Sequence, residues 1–161
     1  MLKIIEAHYH HHDAIWEIFH EVVKSGDTYV YNPKISKEEA LKIWCGDQMK
    51  TCVALIDDHV VGTYTLKPNF PGLGSHIANC SYMVSEQARG LGVGRALAEH
   101  SLQMAKVAGY LGMQFNIVVS TNHSAIKLWE SLDFKIIGTS PKAFRHRELG
   151  LVDTYIMYRE L

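Results

Sequence analysis

The feature that most constrains this chain is the glycine-rich segment Arg89-Gly90-Leu91-Gly92-Val93-Gly94-Arg95-Ala96. It follows an apolar, strand-like run and opens an amphipathic pattern that predicts a helix over 91–108. Three glycines in five positions let the backbone approach a ligand closely, and free N–H groups at a helix start favour an anion such as phosphate. The two flanking arginines add to that field. The alternative is a turn that only joins strand to helix, and this segment by itself supports both.

Two common glycine motifs do not fit this segment. A P-loop requires Gly-Lys-Ser/Thr, whereas Gly94 is followed by Arg95 and Ala96. A dinucleotide-binding fingerprint starting at Gly90 or Gly92 requires a small residue where Arg95 or Leu97 stands. The segment instead carries the pattern Gln/Arg-x-x-Gly-x-Gly/Ala.

Length and composition indicate one ordinary globular domain. The chain has 161 residues, of which 47% are hydrophobic and 20% charged, and its net charge of −1 gives no electrostatic reason to expect nucleic acid. No apolar run approaches membrane-spanning length, and Met1–Glu6 turns charged too early for a signal peptide, so we expect a cytoplasmic protein. Cys45, Cys52 and Cys80 lack metal-site spacing and are expected to be reduced.

Four histidines stand together near the start, at His8 and at 10–12. Consecutive side chains point in different directions, so ordinary loop histidines are favoured over a metal site. Asp13 is predicted to be the N-cap of the first helix, which ends near Gly26.

The remaining periodicity predicts the other elements. A strand is expected over 1–7 and a helix from the capping box Ser36-x-x-Glu39. Further strands are expected at 51–56, 59–67, 76–84, 115–119, 135–138 and 151–158, with a helix at 122–132 and a basic segment at 142–147 between the last two strands. In the loop 26–34, Tyr29 and Tyr31 are candidate substrate contacts or simply anchors of the loop.

The chain resembles the GCN5-related N-acetyltransferase (GNAT) superfamily. Three features carry the resemblance: Arg89, Gly92 and Gly94 in the glycine pattern; the order of elements; and the segment 120–134, similar to Asn-x-x-Ala-x-x-Leu-Tyr-x-x-x-Gly-Phe. It implies one domain over 1–161 with an α/β (α+β) fold, in which about four helices flank a mixed, mostly antiparallel and splayed sheet of about seven strands.

By this resemblance the donor is acetyl-CoA and no metal is required. The backbone of Met83 and Val84 should pair with the pantetheine arm, leaving a free N–H for the thioester oxygen. Asn122 should hydrogen-bond the pantetheine, although it could act only as a helix cap, and Ser124 and Lys127 are weaker candidates. The pyrophosphate is expected at Arg89, Gly90, Leu91, Gly92, Val93, Gly94 and Arg95.

The usual catalytic pair of the family is missing. Asn79 stands where many members have a glutamate, and Trp129 where they have a tyrosine. This combination is similar to acetyltransferases of proline analogues such as azetidine-2-carboxylate, and the tail resembles phosphinothricin-type enzymes. The hypothesis is that Asn79 orients the acceptor amine or carboxylate, with deprotonation through water, His76 or Glu86.

The resemblance therefore predicts a small-molecule N-acetyltransferase that acts by direct transfer, with Tyr29, Tyr31, Asn79 and Trp129 as candidate substrate contacts. Two alternatives stay open: acetylation of proteins or peptides, and a non-catalytic domain that senses acetyl-CoA. Homodimers are common in the family, so a homodimer is one expected state.

Overall fold

Seven strands and four helices make up the structure, a computed structural model that describes residues 1–161. In chain order these are β1 (Leu2–Glu6), α1 (His12–Ser25), α2 (Lys37–Cys45), β2 (Lys50–Ile56), β3 (His59–Pro68), β4 (Ile77–Val84), α3 (Val93–Val107), β5 (Gly112–Val119), α4 (His123–Ser131), β6 (Lys135–His146) and β7 (Gly150–Glu160). Short 3-10 turns occur at Tyr9–His11, Gly72–Gly74 and Glu86–Ala88. The predicted α/β class and the numbers of strands and helices are confirmed.

The strands form one mixed sheet in the order β1-β2-β3-β4-β5-β7-β6. All neighbours are antiparallel except β4 and β5, which run parallel. That parallel pairing covers only two steps, Ile77 with Gly112 and Ala78 with Met113. Beyond Ala78 the two strands separate, so the centre of the sheet is split.

Helices cover both faces of the sheet, and each face has its own core. On one face α1 and α2 bury Phe19 and Trp44 against Val53 and Met83. On the other face α3 and α4 bury a larger cluster that includes Leu97. Alternation along the strands divides their side chains between these two cores, as expected for a sheet covered on both faces.

The expected start of the first helix was wrong. Asp13 is not the N-cap: α1 begins at His12, because the preceding turn is closed by a hydrogen bond from the His8 N–H to Nδ1 of His11 (3.0 Å). Asp13 lies in the first turn and forms an ion pair with Lys37. The capping box that starts α2 at Ser36 is confirmed.

The basic segment 142–147 is not a separate linker between strands. β6 continues through it to His146 after an irregularity between Ser140 and Phe144. Phe144 is buried, and the N–H of Lys142 donates to Oδ1 of Asp153 (2.9 Å), so packing and a side-chain bond extend the strand beyond its sequence signal. No helix is long and apolar enough to span a membrane. No group of three or more histidine, cysteine or acidic side chains is arranged to hold a metal ion.

Candidate active site

The split between β4 and β5 contains a cavity of about 230 Å³. At the point of divergence, Nδ2 of Asn79 donates a hydrogen bond to the backbone oxygen of Gln114 (3.0 Å) and so spans the first unpaired step. Beyond it, both strands expose backbone and side chains to the opening. The lining comprises Thr28, Tyr29, Val30, Tyr31, Asn79, Cys80, Ser81, Tyr82, Phe115, Asn116, Ile117, Val118, Val119, Asn122, Ala125 and Trp129.

The register of β4 decides which backbone groups face this opening. The Ser85 N–H bonds to the oxygen of Val61, and the Ile77 oxygen accepts from the Asn69 N–H, so odd-numbered residues of β4 pair with β3. The backbone of Met83 is therefore directed toward Thr63, and its side chain is buried under α1 and α2. The expected role of the Met83 backbone is therefore wrong, because the backbone groups of β4 that face the split are those of Tyr82 and Val84.

The glycine turn lies next to the open end of β4. Gly90 and Gly92 have φ of 79° and 78°, a region that favours glycine, and a Cβ built on either would meet no atom within 4 Å. Gly92 is the N-cap of α3 and supplies no side-chain hydrogen bond, so the N–H groups of the first helical turn are uncapped. A Cβ on Gly94 would stand 3.9 Å from Val84 and from Leu128, which places the helix start beside β4 and α4.

The arginines flanking the turn differ in their contacts. Arg95 donates to Oγ of Ser131 (2.7 Å) and pairs with Glu99 (3.3 Å), linking α3 to α4. Arg89 is exposed and forms no ion pair within the chain. Of the two flanking arginines, only Arg89 thus has a guanidinium without a partner within the chain.

Helix α4 brings one amide and one aromatic wall to the cavity. Oδ1 of Asn122 accepts from the Ala125 N–H (3.3 Å) and from Oγ of Ser124 (3.2 Å), so this side chain caps the helix and also lines the cavity. Trp129 is 8% exposed and packs on Phe115, with ring centroids 4.6 Å apart. Lys127 is exposed on the same helix.

Segment 28–31 lies over the cavity from the side of α1. The rings of Tyr29 and Tyr31 stack at 6.0 Å. The Tyr29 hydroxyl donates to the Tyr82 oxygen (2.6 Å) and accepts from the Tyr82 N–H (3.0 Å). Both loop tyrosines therefore line the cavity, and Tyr29 also anchors its loop to β4. Their role as substrate contacts stays a prediction.

The ionisable groups of the lining do not titrate near neutral pH. Burial raises the pKa of Tyr29, Tyr31 and Tyr82 above the ordinary tyrosine range. Burial also raises the pKa of the Cys80 thiol to about 12. No carboxylate or histidine lines the cavity.

The structure does not bring His76 or Glu86, the two candidate bases, to this cavity. His76 is exposed just before β4, where its backbone oxygen accepts from the Leu111 N–H. Glu86 lies in the 3-10 turn after β4, beside a surface groove that also contains His20, Glu21 and Arg147. The roles expected of His76 and Glu86 stay predictions.

The sequence did not indicate most of the lining, including Tyr82 and the polar residues Asn116 and Thr28. Nδ2 of Asn116 donates to Oδ1 of Asn69 (2.8 Å), and its own Oδ1 accepts from Gln114 (3.1 Å). An asparagine inside the apolar run 115–119 is a signal that could have indicated it. Thr28 carries the one buried side-chain polar atom without a hydrogen-bond partner, and nothing in its sequence context distinguishes it.

Comparison with known proteins gives consistent results. A model of the acetyltransferase (GNAT) family matches residues 11–134. The N-acetyltransferase aca1 of Schizosaccharomyces pombe is 34% identical over an alignment of 151 residues, covering 83% of this chain and 72% of that protein. The solved structure of a GCN5-related N-acetyltransferase from Kribbella flavida superposes with a TM-score of 0.95 at 43% identity, covering 99% of this chain and 98% of that one.

A phosphinothricin acetyltransferase from Sinorhizobium meliloti, solved in complex with AcCoA, has a TM-score of 0.88 and 22% identity. The match covers 99% of this chain and 88% of that one. At this identity the likeness concerns the fold.

Proposed function

Because this chain belongs to the acetyltransferase (GNAT) family, we propose that it transfers the acetyl group of acetyl-CoA directly to the amine of a small, amino-acid-like acceptor. The observation that supports this proposal most directly is the cavity of about 230 Å³ at the split between β4 and β5, next to the uncapped start of α3. A donor held along β4 and an acceptor inside the cavity would meet at the same strand.

The donor half of the proposed site is built mainly from backbone. The free edge of β4 at Val84 would pair with the pantetheine arm as an added strand does. The N–H groups from Gly90 to Arg95 would hold the pyrophosphate, because an uncapped helix start has unsatisfied donors and a positive dipole end. Asn122, and more weakly Ser124 and Lys127, would contact the arm from α4.

The acceptor half is built from side chains. Asn79 donates through Nδ2 to Gln114, and its Oδ1 has no partner within the chain. A free carbonyl oxygen accepts from an N–H, so Asn79 would orient the acceptor amine rather than a carboxylate. Thr28 and Asn116 would contact the rest of the acceptor, and Trp129 would form the apolar wall.

The proposed chemistry is one direct displacement. The amine nitrogen attacks the thioester carbonyl carbon, the C–N bond forms, and negative charge develops on the carbonyl oxygen. The Tyr82 N–H, which faces the split and is bonded to the Tyr29 hydroxyl, would stabilise that charge. The C–S bond then breaks, and the proton lost from nitrogen balances the departing thiolate, giving an amide and free CoA.

We expect water, rather than a side chain, to take the first proton from a protonated amine. The lining lacks a carboxylate and an imidazole, and its tyrosines hold their protons because burial raises their pKa. A general base needs a pKa near the working pH. The reactive species is therefore the free amine already present in solution or formed through water.

The walls on two sides of the cavity support a small acceptor. Segment 28–31 closes it on the side of α1, and the pair Trp129 and Phe115 closes it on the side of α4. A peptide needs an open groove along which its backbone can continue. Acetylation of a protein and binding of acetyl-CoA without catalysis are therefore outcomes that the experiment must distinguish.

The test measures release of free thiol from acetyl-CoA with the purified protein. Acceptors are cyclic and linear amino acids, simple amines, and peptides with a free N-terminus or lysine. We expect the largest kcat/KM with an amino-acid-like amine. Faster turnover of a peptide would replace the small acceptor by a protein substrate. Tight acetyl-CoA binding without turnover of any acceptor would indicate a sensor domain.

A further inference from the structure

The Tyr29 hydroxyl is bonded to the backbone N–H of β4 that the proposed reaction uses. It bonds both polar groups of one residue, accepting from the Tyr82 N–H (3.0 Å) and donating to the Tyr82 oxygen (2.6 Å). These two groups face the split, where β5 has moved away and no strand supplies partners. Tyr29 thus replaces the missing strand at a single residue.

This contact satisfies two backbone groups of β4 that no strand pairs. A buried backbone N–H or C=O without a partner costs about 1–3 kcal/mol. One hydroxyl can satisfy both groups, because it accepts and donates at once. The ring is held in place by Tyr31, stacked at 6.0 Å, and by the edge of Trp44, with centroids 6.4 Å apart.

The same N–H cannot serve Tyr29 and the thioester oxygen equally well. A backbone N–H gives one strong, linear hydrogen bond, and two acceptors sharing it weaken both bonds. The Tyr82 oxygen is different, since the thioester carries no donor to compete for it. Only one of the two Tyr29 bonds therefore conflicts with the donor.

We propose that Tyr29 is a positioning residue whose hydroxyl holds the Tyr82 N–H until the thioester oxygen replaces it, while the bond to the Tyr82 oxygen persists. This exchange rests on the proposed function. The Tyr29 hydroxyl keeps the Tyr82 backbone paired until acetyl-CoA binds. Acetyl-CoA must displace this hydroxyl from the N–H, which weakens its binding, whereas CoA lacks the thioester oxygen and does not displace it. Tyr29 thereby reduces the preference of the site for substrate over the free CoA product.

The test compares the Kd of acetyl-CoA with that of CoA in the wild-type protein and in Tyr29→Phe. Removing the hydroxyl frees the Tyr82 N–H, so acetyl-CoA should bind about fivefold more tightly, the effect of one ordinary hydrogen bond. CoA affinity should stay within twofold. The ratio of the two dissociation constants is therefore the readout, because a purely structural defect would weaken both ligands together.

Tyr31→Phe is the matched control, because it removes one hydroxyl from the same stacked pair without touching Tyr82. It should leave the ratio of dissociation constants unchanged. An unchanged or reduced preference for acetyl-CoA in Tyr29→Phe, with the wild type binding both ligands, would overturn the inference and leave the proposed function intact. Failure of the wild type to bind acetyl-CoA would instead count against the proposed function.

A second measurement needs no variant at this position. In the wild-type protein, the Tyr82 amide resonance should move further on adding acetyl-CoA than on adding CoA, because only acetyl-CoA supplies a new acceptor to that N–H. Equal movement with both ligands would contradict the exchange, even if Tyr29→Phe proved too unstable to purify.

Discussion

The two halves of the candidate site are built in opposite ways. The proposed donor half consists mainly of one continuous piece of chain, from Val84 through the glycine turn into α3, with side chains of α4 beside it, and it would offer mainly backbone N–H groups. The acceptor half is assembled from segment 28–31, β4, β5 and α4, and it offers side chains. A backbone site demands glycines in a fixed local order, whereas a side-chain site demands a shape that four segments create together. The first is therefore readable as a motif, and the second is not.

The largest expected effect tests whether the acceptor half has any base of its own. Because no lining group titrates near neutral pH, log kcat/KM should rise by one unit per pH unit and level off at the pKa of the acceptor amine. An acceptor with a lower amine pKa should move that plateau to lower pH by the same amount. Rate profiles for two acceptors check this, and a limb fixed at one pH for both would reveal an enzyme base such as His76 or Glu86.

Asn79→Ala should impair use of the acceptor without impairing binding of acetyl-CoA. Loss of the free Oδ1 removes the bond that orients the amine, so kcat/KM for the acceptor should fall about 30-fold, within the range for hydrogen bonds to a charged or reacting group. The Kd of acetyl-CoA, measured by calorimetry, should change less than twofold. Unaltered turnover would remove Asn79 from the site and leave it as a satisfied strand residue.

Gly92→Ala should act on the donor half. The new Cβ enters space open to solvent at φ 78°, where a pyrophosphate would lie, so acetyl-CoA should bind about tenfold more weakly, and backbone strain should cost about 1 kcal/mol of stability. Gly109→Ala is the matched control, since Gly109 also has positive φ and no atom within 4 Å of a built Cβ, but follows the far end of α3. Equal loss of acetyl-CoA affinity in both variants would show that strain alone is responsible.

Thr28→Val gives the smallest expected effect and tests the part of the acceptor half that carries no motif. If the acceptor supplies the missing partner of this hydroxyl, its KM should rise about fivefold, the value of one ordinary hydrogen bond. Thermal unfolding should show a donor-free protein at least as stable as the wild type, because an unpaired buried hydroxyl has been removed. A KM equal to that of the wild type would exclude Thr28 from acceptor recognition.

Local sequence signals predicted most of the fold. Apolar periodicity located all seven strands and four helices, and the Ser36 capping box began α2 where it was expected. The errors lay where a neighbour in space decides the outcome. α1 is opened by a contact between two histidines rather than by Asp13, and β6 extends past its apolar run because Phe144 and Lys142 find partners elsewhere.

The glycine turn and the helix that opens after it could be read from the sequence because each depends on residues adjacent in the chain, and the fold class followed from the family resemblance. Which groups of β4 face the split depends on strand register, which is set by contacts between residues distant in the chain. A shift of one residue reverses the direction of every backbone N–H, and this moved the free edge from Met83 to Tyr82. The tertiary structure also brings Thr28, Tyr29 and Asn116 into one cavity, since their proximity depends on how far β4 and β5 diverge and on what packs over the opening.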